Sequence, residues 1–214
     1  MHEAELGAMK GPAKPAHELT VTLEPDNFTE ETYAVYENYQ RIVHKEGPGD
    51  ISRDGFTRFL CNSPVKRSTT TADGRERKLG SYHQCYRLDG RLLAVAVLDL
   101  LPDAVSAVYF MYHEDLHHWS PGKLSALREA ALAVELGRRW YMMGFYIHSC
   151  LKMRYKADYH PQFILDPEAY AWDPLDEELK LRMQARRYVS LSSERARGIA
   201  APTREEAVEA EALR

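Results

Sequence analysis

The sequence predicts an α/β protein built around a mixed sheet, and two observations support this. Between residues 81 and 113, three strand-length segments alternate in polarity or run apolar, and turn signals separate them. On both sides of this block, apolar residues recur at intervals of three and four, which is the period of a helix. The predicted order is two helices, three strands in a meander, one helix and one strand.

The first predicted helix begins near Asn27 or Thr29, since either side chain can cap a helix N-terminus. Apolar residues follow at helical spacing until a Gly-Pro-Gly turn at residues 47–49 ends the element. A short second helix is predicted around Phe56. Residues 1–26 contain glycine, proline and mixed charge, and they are expected to form a flexible leader.

The strands follow a polar, basic stretch at residues 61–80 that is predicted to be a loop. The first strand covers residues 81–88, and Asp89-Gly90 is typical of a tight hairpin turn. The second, RLLAVAVLDLL, is almost continuously apolar, and the third, AVSAVYFMYH, is rich in valine and aromatic residues. These residues therefore predict a three-stranded meander.

A long helix and a further strand are predicted next. KLSALREAALAVELGRR is rich in alanine and leucine, and Gly137 near its end suits a helix C-terminus. YMMGFYI is predicted to be a buried strand. Residues 175–197 are predicted to form a late, charged helix, and residues 198–214 an acidic tail that is nascent helix or disordered. One domain is therefore predicted over residues 27–197.

Composition excludes several classes of function. The formal net charge of the 214 residues is −4, so nucleic-acid binding must rest on local patches. The three cysteines are far apart and form no disulfide or metal-binding pattern. Neither a signal peptide nor an apolar segment of membrane-spanning length is recognisable, so no membrane association and a cytoplasmic, or also nuclear, location are expected.

Residues 113–117 read HEDLH, which matches the H-E-x-x-H pattern of zinc proteases. That chemistry needs both histidines on one face of a long helix. Here a strand-like segment precedes the motif and Pro121 follows it closely, so a polar loop is predicted. Cys150 beside His148 could form a nucleophilic pair, although buried cysteines are commonly inert.

The chain resembles a known family in three stretches: GSYHQCYRLDGRLLAVAVLDLLPDAVSAVYFMY, KLSALREAAL and MGFYIHSCLKMRYKADYHPQFIL. In this order and spacing they resemble the C-terminal catalytic domain of the arginyl-tRNA–protein transferases, over roughly residues 33–172. The bacterial Asp/Glu leucyltransferases are similar, but ALRE and HSC–KMRYK favour the arginyl branch. The resemblance implies an acetyltransferase-like (GNAT-like) split mixed sheet flanked by helices, which admits an aminoacyl-tRNA 3′ end.

The resemblance also implies the reaction. Arginine would pass from arginyl-tRNA to the α-amine of proteins that begin with Asp, Glu or oxidised Cys, in the N-degron pathway. Arginyl-tRNA is then a cosubstrate, and no cofactor or metal is expected in this chain. The family's N-terminal domain, with its paired cysteines linked to a metal cluster, is expected to be absent. Leu151 stands where the family has proline.

The acidic residue of the acceptor requires cations, and Lys152, Arg154 and Lys156 are the candidates. If their segment is extended, the three share one face, while Met153 and Tyr155 point the other way into packing. The alternative is a solvated cluster at a strand end.

The arginyl side chain requires a carboxylate. Asp99 interrupts an apolar strand and is a candidate, with Glu129 and Tyr82 assigned to the same pocket. The alternatives are a buried pair of Asp99 with Arg128 and a helix-surface position for Glu129.

The tRNA acceptor arm requires cations for its phosphates. Six residues are the candidates: Lys66, Arg67, Arg75, Arg77, Lys78 and Lys123. Unpaired 3′ bases could stack on aromatic side chains. The leaving ribose oxygen needs a proton, for which His83, His148 and Tyr109 are the catalytic candidates, although each is also compatible with a structural role.

Two other functions remain open on the residues alone. One is an N-acetyltransferase of the same fold, although the SPGK turn before the long helix has a single glycine where such enzymes bind pyrophosphate. The other is a non-catalytic domain that binds acidic N-termini or tRNA without transfer.

Overall fold

The computed structural model describes residues 16–72 and 75–213, with the side chains of Ala72 and Arg75 excepted. The chain divides into two compact units, Met1–Gly144 and Phe145–Arg214, whereas the sequence predicted one domain over residues 27–197. The physical reason is a separate apolar cluster in the second unit, around Ala157.

The first unit contains helices and strands with the following bounds: β1 (Leu19–Pro25), α1 (Glu30–Tyr39), α2 (Arg53–Phe56), β2 (Ser68–Ala72), β3 (Arg75–Leu88), β4 (Arg91–Leu100), β5 (Ala104–Tyr112), α3 (Pro121–Glu135) and β6 (Trp140–Met142). Helices α1 and α2 continue as π-helical turns over Gln40–His44 and Thr57–Cys61. The main sheet has the order β1-β3-β4-β5-β6, and β2 pairs with the start of β3. Every pair is antiparallel except β5–β6, which is parallel.

The predicted meander β3–β4–β5 is confirmed. Asp89 and Gly90 have φ values of 50° and 83°, the pair of left-handed conformations that a two-residue hairpin turn requires. The predicted start of the first helix is also confirmed, because the backbone N–H of Thr32 donates to Thr29 Oγ1 at 3.1 Å. Local signals therefore determine both features.

The sheet has two covered faces, and the alternation along β4 assigns its residues to them. Val95 and Val97 pack with α1 and α2 in a cluster that includes Phe56. Ala96 and Leu98 pack on the opposite face, against α3, in a second cluster. Asp99 follows Val97 by two residues, so its side chain belongs to the face of α1 and α2.

Two segments that were predicted without regular structure are strands. Part of the leader predicted over residues 1–26 lies outside the described residues, but β1 within it pairs along β3 from Leu19↔Leu88 to Pro25↔Tyr82. Within the predicted loop at residues 61–80, β2 pairs with the start of β3 in a polar ribbon. Both predictions were wrong because backbone pairing with β3, not apolar periodicity, stabilises these strands.

The predicted buried strand YMMGFYI was also wrong in its extent. Only Trp140–Met142 forms β6, and it pairs with β5 at three positions. Gly144 follows with a φ of 75°, which takes the backbone out of the extended region. Beyond it, the side chain of Phe145 is 87% exposed.

The second unit contains α4 (Leu151–Arg154) with a following 3₁₀ turn (Tyr155–Asp158), β7 (Phe163–Leu165), β8 (Trp172–Pro174), α5 (Glu177–Ala185), α6 (Leu191–Ala196) and α7 (Arg204–Ala212). The late helix predicted over residues 175–197 is thus two helices. The acidic tail contains α7, whose N-terminus is closed by a capping box between Thr203 and Glu206, so it is helical rather than disordered. Within the part of the chain that the structure describes, no helix has the length and apolar composition needed to cross a bilayer.

Candidate functional site

Asp99 lies in a small polar cluster on the face of α1 and α2. Its Oδ1 is 3.5 Å from the Ser63 hydroxyl, and Ser81 is its partner across the β3–β4 pair. Burial raises the pKa of Asp99, although hydrogen bonds from Ser81 and Ser63 act in the opposite direction. The alternative role of Asp99, a buried pair with Arg128, does not form, since that guanidinium binds Glu135 at 2.7 Å.

Asp99 makes no ion pair with any lysine or arginine among residues 16–72 and 75–213. A carboxylate that is partly withdrawn from water without a counter-ion is costly, and a cationic ligand would relieve that cost. The charge of Asp99, which is unpaired within those ranges, therefore suits it to a guanidinium or ammonium group brought by a substrate.

Gly80 allows the loop that contains Ser63 to approach Asp99. Its φ is 107°, and a Cβ on it would lie 2.4 Å from the Cα of Arg67. The absence of a side chain lets the chain at Lys66 and Arg67 cross closely over β3, and the N–H of Ser81 donates to the Val65 carbonyl at 3.2 Å. This close crossing holds the preceding loop, with Ser63, against the sheet.

The predicted tRNA contacts are unequal in availability. Arg67 forms an ion pair with Asp26 and donates to Asn27 Oδ1 at 3.2 Å, so its charge is already used within the fold. Arg77 donates to the carbonyl of Pro102, and Lys66 Nζ lies 3.3 Å from the Ser63 carbonyl. Lys78 is half-buried on β3, Lys123 is exposed in the first turn of α3, and the side chain of Arg75 lies outside the described residues.

Arg138 is not among the site residues predicted from the sequence. It is buried, and it donates to the Pro102 carbonyl at 2.8 Å and to the Lys78 carbonyl at 2.9 Å. Burial and the nearby charge of Arg77 lower its pKa. Arg138 therefore ties the hairpin of Arg77 and Lys78 to the β4–β5 turn.

His83, a predicted proton shuttle, is 1% exposed. Its Nε2–H donates to the Leu60 carbonyl at 2.9 Å, while Nδ1 is buried and has no partner among the described residues. Burial lowers the pKa of His83, so the ring is neutral near pH 7. This environment supports a structural role in joining β3 to the π-helical turn that follows α2.

Tyr109 lies on β5 opposite Val97, on the same face of the sheet as Asp99. Its hydroxyl donates to Gln40 Oε1 at 2.9 Å and is 3.3 Å from His44 Nε2. Burial raises the pKa of Tyr109, so the hydroxyl remains protonated near pH 7. It can therefore act as a hydrogen-bond donor.

Glu129 and Tyr82 lie on the opposite face of the sheet from Asp99. Glu129 is 2% exposed, so the alternative of a helix-surface charge is wrong. Its carboxylate accepts from the hydroxyls of Ser125 and, at 2.7 Å, Tyr141. Because the sheet separates the two carboxylates, the predicted pocket of Asp99, Tyr82 and Glu129 cannot form as one site.

The second unit contains a cavity of about 220 Å³ that is lined in part by two of the predicted site residues, His148 and Arg154. Its lining residues are Tyr146, His148, Arg154, Ala157, Asp158, Lys180, Gln184 and Glu211. Arg154 Nε donates to the His148 carbonyl at 2.8 Å, which fixes the guanidinium beside the imidazole. The Tyr146 hydroxyl lies 2.8 Å from His148 Nδ1. Burial, and secondarily the charge of Arg154, lower the pKa of His148 and favour its neutral form.

Lys152, Arg154 and Lys156 do not share one face, because their segment is helical rather than extended. Residues two apart on a helix point about 200° apart, as the period of 3.6 residues requires. Arg154 lines the cavity, whereas Lys156 Nζ binds the Phe145 carbonyl at 2.9 Å. Lys152 is exposed and makes no hydrogen bond with the described residues. Leu151, where the family has proline, is the first residue of this helix.

The HEDLH segment overlaps a 3₁₀ helix, Glu114–Trp119. Its two outer histidines have different neighbours: Arg91 at 3.2 Å for His113, and the Tyr112 hydroxyl at 3.2 Å for His117. In the described ranges, no three His, Cys, Asp or Glu side chains converge as metal ligands.

Comparisons with known proteins agree with the resemblance. The sequence model described as "Arginine-tRNA-protein transferase, C terminus" matches residues 31–166. Arginyl-tRNA–protein transferase 1 of Drosophila melanogaster is 39% identical over 169 residues, which cover 77% of this chain and 34% of that protein. Its Arabidopsis thaliana counterpart is 38% identical over 181 residues, or 81% of this chain and 28% of the relative. The aspartate/glutamate leucyltransferase of Stutzerimonas stutzeri (strain A1501) is 38% identical over 137 residues, or 63% and 52%.

The chain thus spans roughly a third of the length of the first two of these relatives. The range matched by the family model includes Asp99, His148 and Arg154, and it ends before Gln184 and Glu211. Since that range covers more than half of the sequence, the chain belongs to the arginine-tRNA-protein transferase family.

Proposed function

We propose that this chain transfers arginine from arginyl-tRNA to the N-terminal α-amine of proteins that begin with Asp, Glu or oxidised Cys. The observation that carries the proposal is the cavity of the second unit, in which Arg154 and His148 meet within the range matched by the family model. An arginine that already binds a carboxylate in this cavity suits an acidic acceptor residue. The neutral imidazole beside it suits proton transfer.

The proposed reaction does not require a strong general base. The acceptor's α-amino group has a pKa near 7.7–8.0, so a sizeable fraction of it is a neutral nucleophile near pH 7. Its nitrogen attacks the ester carbonyl carbon, an amide bond forms, the bond to the ribose oxygen breaks, and a proton moves from the amine to that oxygen. In this proposal His148 carries the proton, and Arg154 positions the amine by holding the acidic side chain.

Asp99 is the proposed contact for the arginyl side chain, because it is a partly buried carboxylate without a cationic partner in the described part of the chain. It lies across from Ser106, which is also the last residue of β5 that pairs with β6. Beyond Ser106, residues 107–112 have no described strand partner on that side. This short parallel pairing supports an acetyltransferase-like split sheet, in which the opening receives the 3′ end of the tRNA.

The proposed partners are therefore arginyl-tRNA and acidic N-termini. The cations around Lys66 and Arg77 would contact the acceptor arm. The cytoplasm, and also the nucleus, remain the proposed location, and the three free cysteines are compatible with a reducing compartment.

The test mixes the full chain with labelled arginyl-tRNA and peptides that begin with Asp, Glu or Ala. Label on the Asp and Glu peptides alone would support the proposal. Selective binding of acidic peptides or tRNA without transfer would indicate a binding domain. Transfer of an acetyl group from acetyl-coenzyme A would overturn the proposed donor.

A further inference from the structure

The C-terminal helix α7 brings a carboxylate of this chain into the cavity that contains Arg154. Arg154 Nη2 donates to Glu211 Oε1 at 3.1 Å, and Gln184 Nε2 donates to Glu211 Oε2 at 2.8 Å. Each oxygen of one carboxylate thus has its own donor. The two donors come from different helices, 57 and 27 residues away from Glu211 in the sequence.

We propose that Glu211 occupies the subsite for the acidic side chain of the acceptor, so that α7 is an internal competitor of the substrate. Arg154 and Gln184 together then form the carboxylate subsite, with Gln184 as a specificity-determining residue outside the range matched by the family model. The inference rests on the proposed function in assigning Arg154 to the acceptor.

The arrangement distinguishes Glu211 from the other acidic residues of α7. Glu206 bonds back to the Thr203 N–H in the capping box, and Glu205 and Glu209 are exposed. Glu211 alone among these lines the cavity. The bond from Gln184 and then the charge of Arg154 lower the pKa of Glu211, so it enters the subsite as a carboxylate, as an acceptor Asp or Glu would.

The contacts that hold Glu211 in the cavity are weak enough for a substrate carboxylate to displace it. The side chains of Arg154 and Glu211 are 42% and 43% exposed, so their attraction is weakened by solvent. Lys180, which also lines the cavity, is paired with Glu177 at 2.9 Å and not with Glu211. An acceptor carboxylate therefore competes with one exposed ion pair and one amide hydrogen bond.

The experiment measures the affinity of the full chain for the amidated dipeptides Asp-Ala and Ala-Ala by calorimetry. Glu211→Gln removes the competing charge, and Glu209→Gln removes an equal charge from the same helix without touching the cavity. We expect Glu211→Gln to tighten Asp-Ala binding about two- to fivefold, the range that an exposed ion pair supplies. Ala-Ala binding should stay unchanged, and Glu209→Gln should match the wild type.

A second variant tests the subsite without altering α7. Gln184→Met keeps the length of the side chain but removes the amide donor, and we expect it to weaken Asp-Ala binding in the Glu211→Gln background. Equal Asp-Ala affinities for wild type, Glu211→Gln and Glu209→Gln would overturn the inference, as would an unchanged affinity on Gln184→Met.

The two proposals fail differently. If acidic selectivity depends on Arg154 but ignores Glu211 and Gln184, the proposed function stands and this inference falls. If no variant, nor the wild type, prefers Asp-Ala over Ala-Ala, the assignment of Arg154 to the acceptor falls with it.

Discussion

Replacing Gly80 by alanine should destabilise the first unit strongly, because two independent costs meet at that position. At a φ of 107°, a residue with a Cβ is strained by about 1–3 kcal/mol. The added Cβ would also lie 2.4 Å from Arg67 Cα and 2.7 Å from the Lys66 carbonyl oxygen. Both contacts are backbone atoms, so the loop must shift, and overpacking of this kind costs about 1–3 kcal/mol more. We therefore expect the free energy of unfolding to fall by about 2–6 kcal/mol.

Urea unfolding of Gly80→Ala measures both costs together, and urea unfolding of Gly90→Ala measures the cost of a positive φ alone. Gly90 also has a positive φ, of 83°, but a Cβ there meets no atom within 4 Å, so this variant carries strain of about 1–2 kcal/mol alone. The larger loss in Gly80→Ala should come with weaker use of arginyl-tRNA, since the crossing at Gly80 holds Ser63 near Asp99. If Gly80→Ala were no less stable than Gly90→Ala, the close crossing of loop and strand would be refuted.

Four further outcomes are expected. Asp99→Asn should lower transfer from arginyl-tRNA about 10- to 100-fold, as loss of a charged hydrogen bond does, and unchanged discrimination against leucyl-tRNA would remove Asp99 from the donor pocket. Arg154→Ala should weaken the use of acidic peptides, measured as KM, more than tRNA affinity, and equal losses would reassign the residue to the tRNA. Burial lowers the pKa of His83 in the folded state, so the unfolded chain binds more protons and the free energy of unfolding falls as the pH drops through about 6.5. Urea unfolding at pH 7.5 and 5.5 should show a smaller change in the free energy of unfolding for His83→Gln than for the wild type. An identical change in the two proteins would contradict the burial of this imidazole. Burial raises the pKa of Cys85 to about 12, so its thiol should react slowly with iodoacetamide at pH 8 in the native chain. Mass spectrometry should show far faster labelling of Cys85 in the urea-unfolded chain. Equal labelling rates in the two states would contradict the packing of this thiol.

Part of the candidate site could be predicted from sequence because resemblance and local chemistry point to single residues. Asp99 is predictable as a carboxylate inside an apolar strand, and Arg154 and His148 as a cation and a base in the segment that begins after YMMGFYI. The shape of the segment could not be predicted in this way. An alternating pattern of cations and apolar residues suggested an extended chain, but α4 and its 3₁₀ turn leave Arg154 as the one cation of the three that lines the cavity.

The sequence also fails to predict which candidate residues lie in the same site, and the cause of this failure lies in the sheet. The sequence cannot show which helix covers which face, so Asp99 and Glu129 were assigned to one pocket. The structure places α1 and α2 against the face of Val97 and α3 against the face of Leu98. Adjacent residues of a strand point to opposite faces, and therefore two carboxylates that suit the same ligand are separated by the sheet.

The sequence by itself determined the features that depend on neighbouring residues: the Thr29 cap, the Asp89-Gly90 turn, the meander that they border and the family signature. Only the tertiary structure decided what lies beside what. Strand β1 exists because β3 offers it backbone partners, and Arg154 meets Glu211 across 57 residues of sequence. Caps and turns are satisfied within a few residues, whereas strand pairs and ion pairs between distant segments form only when the whole chain packs.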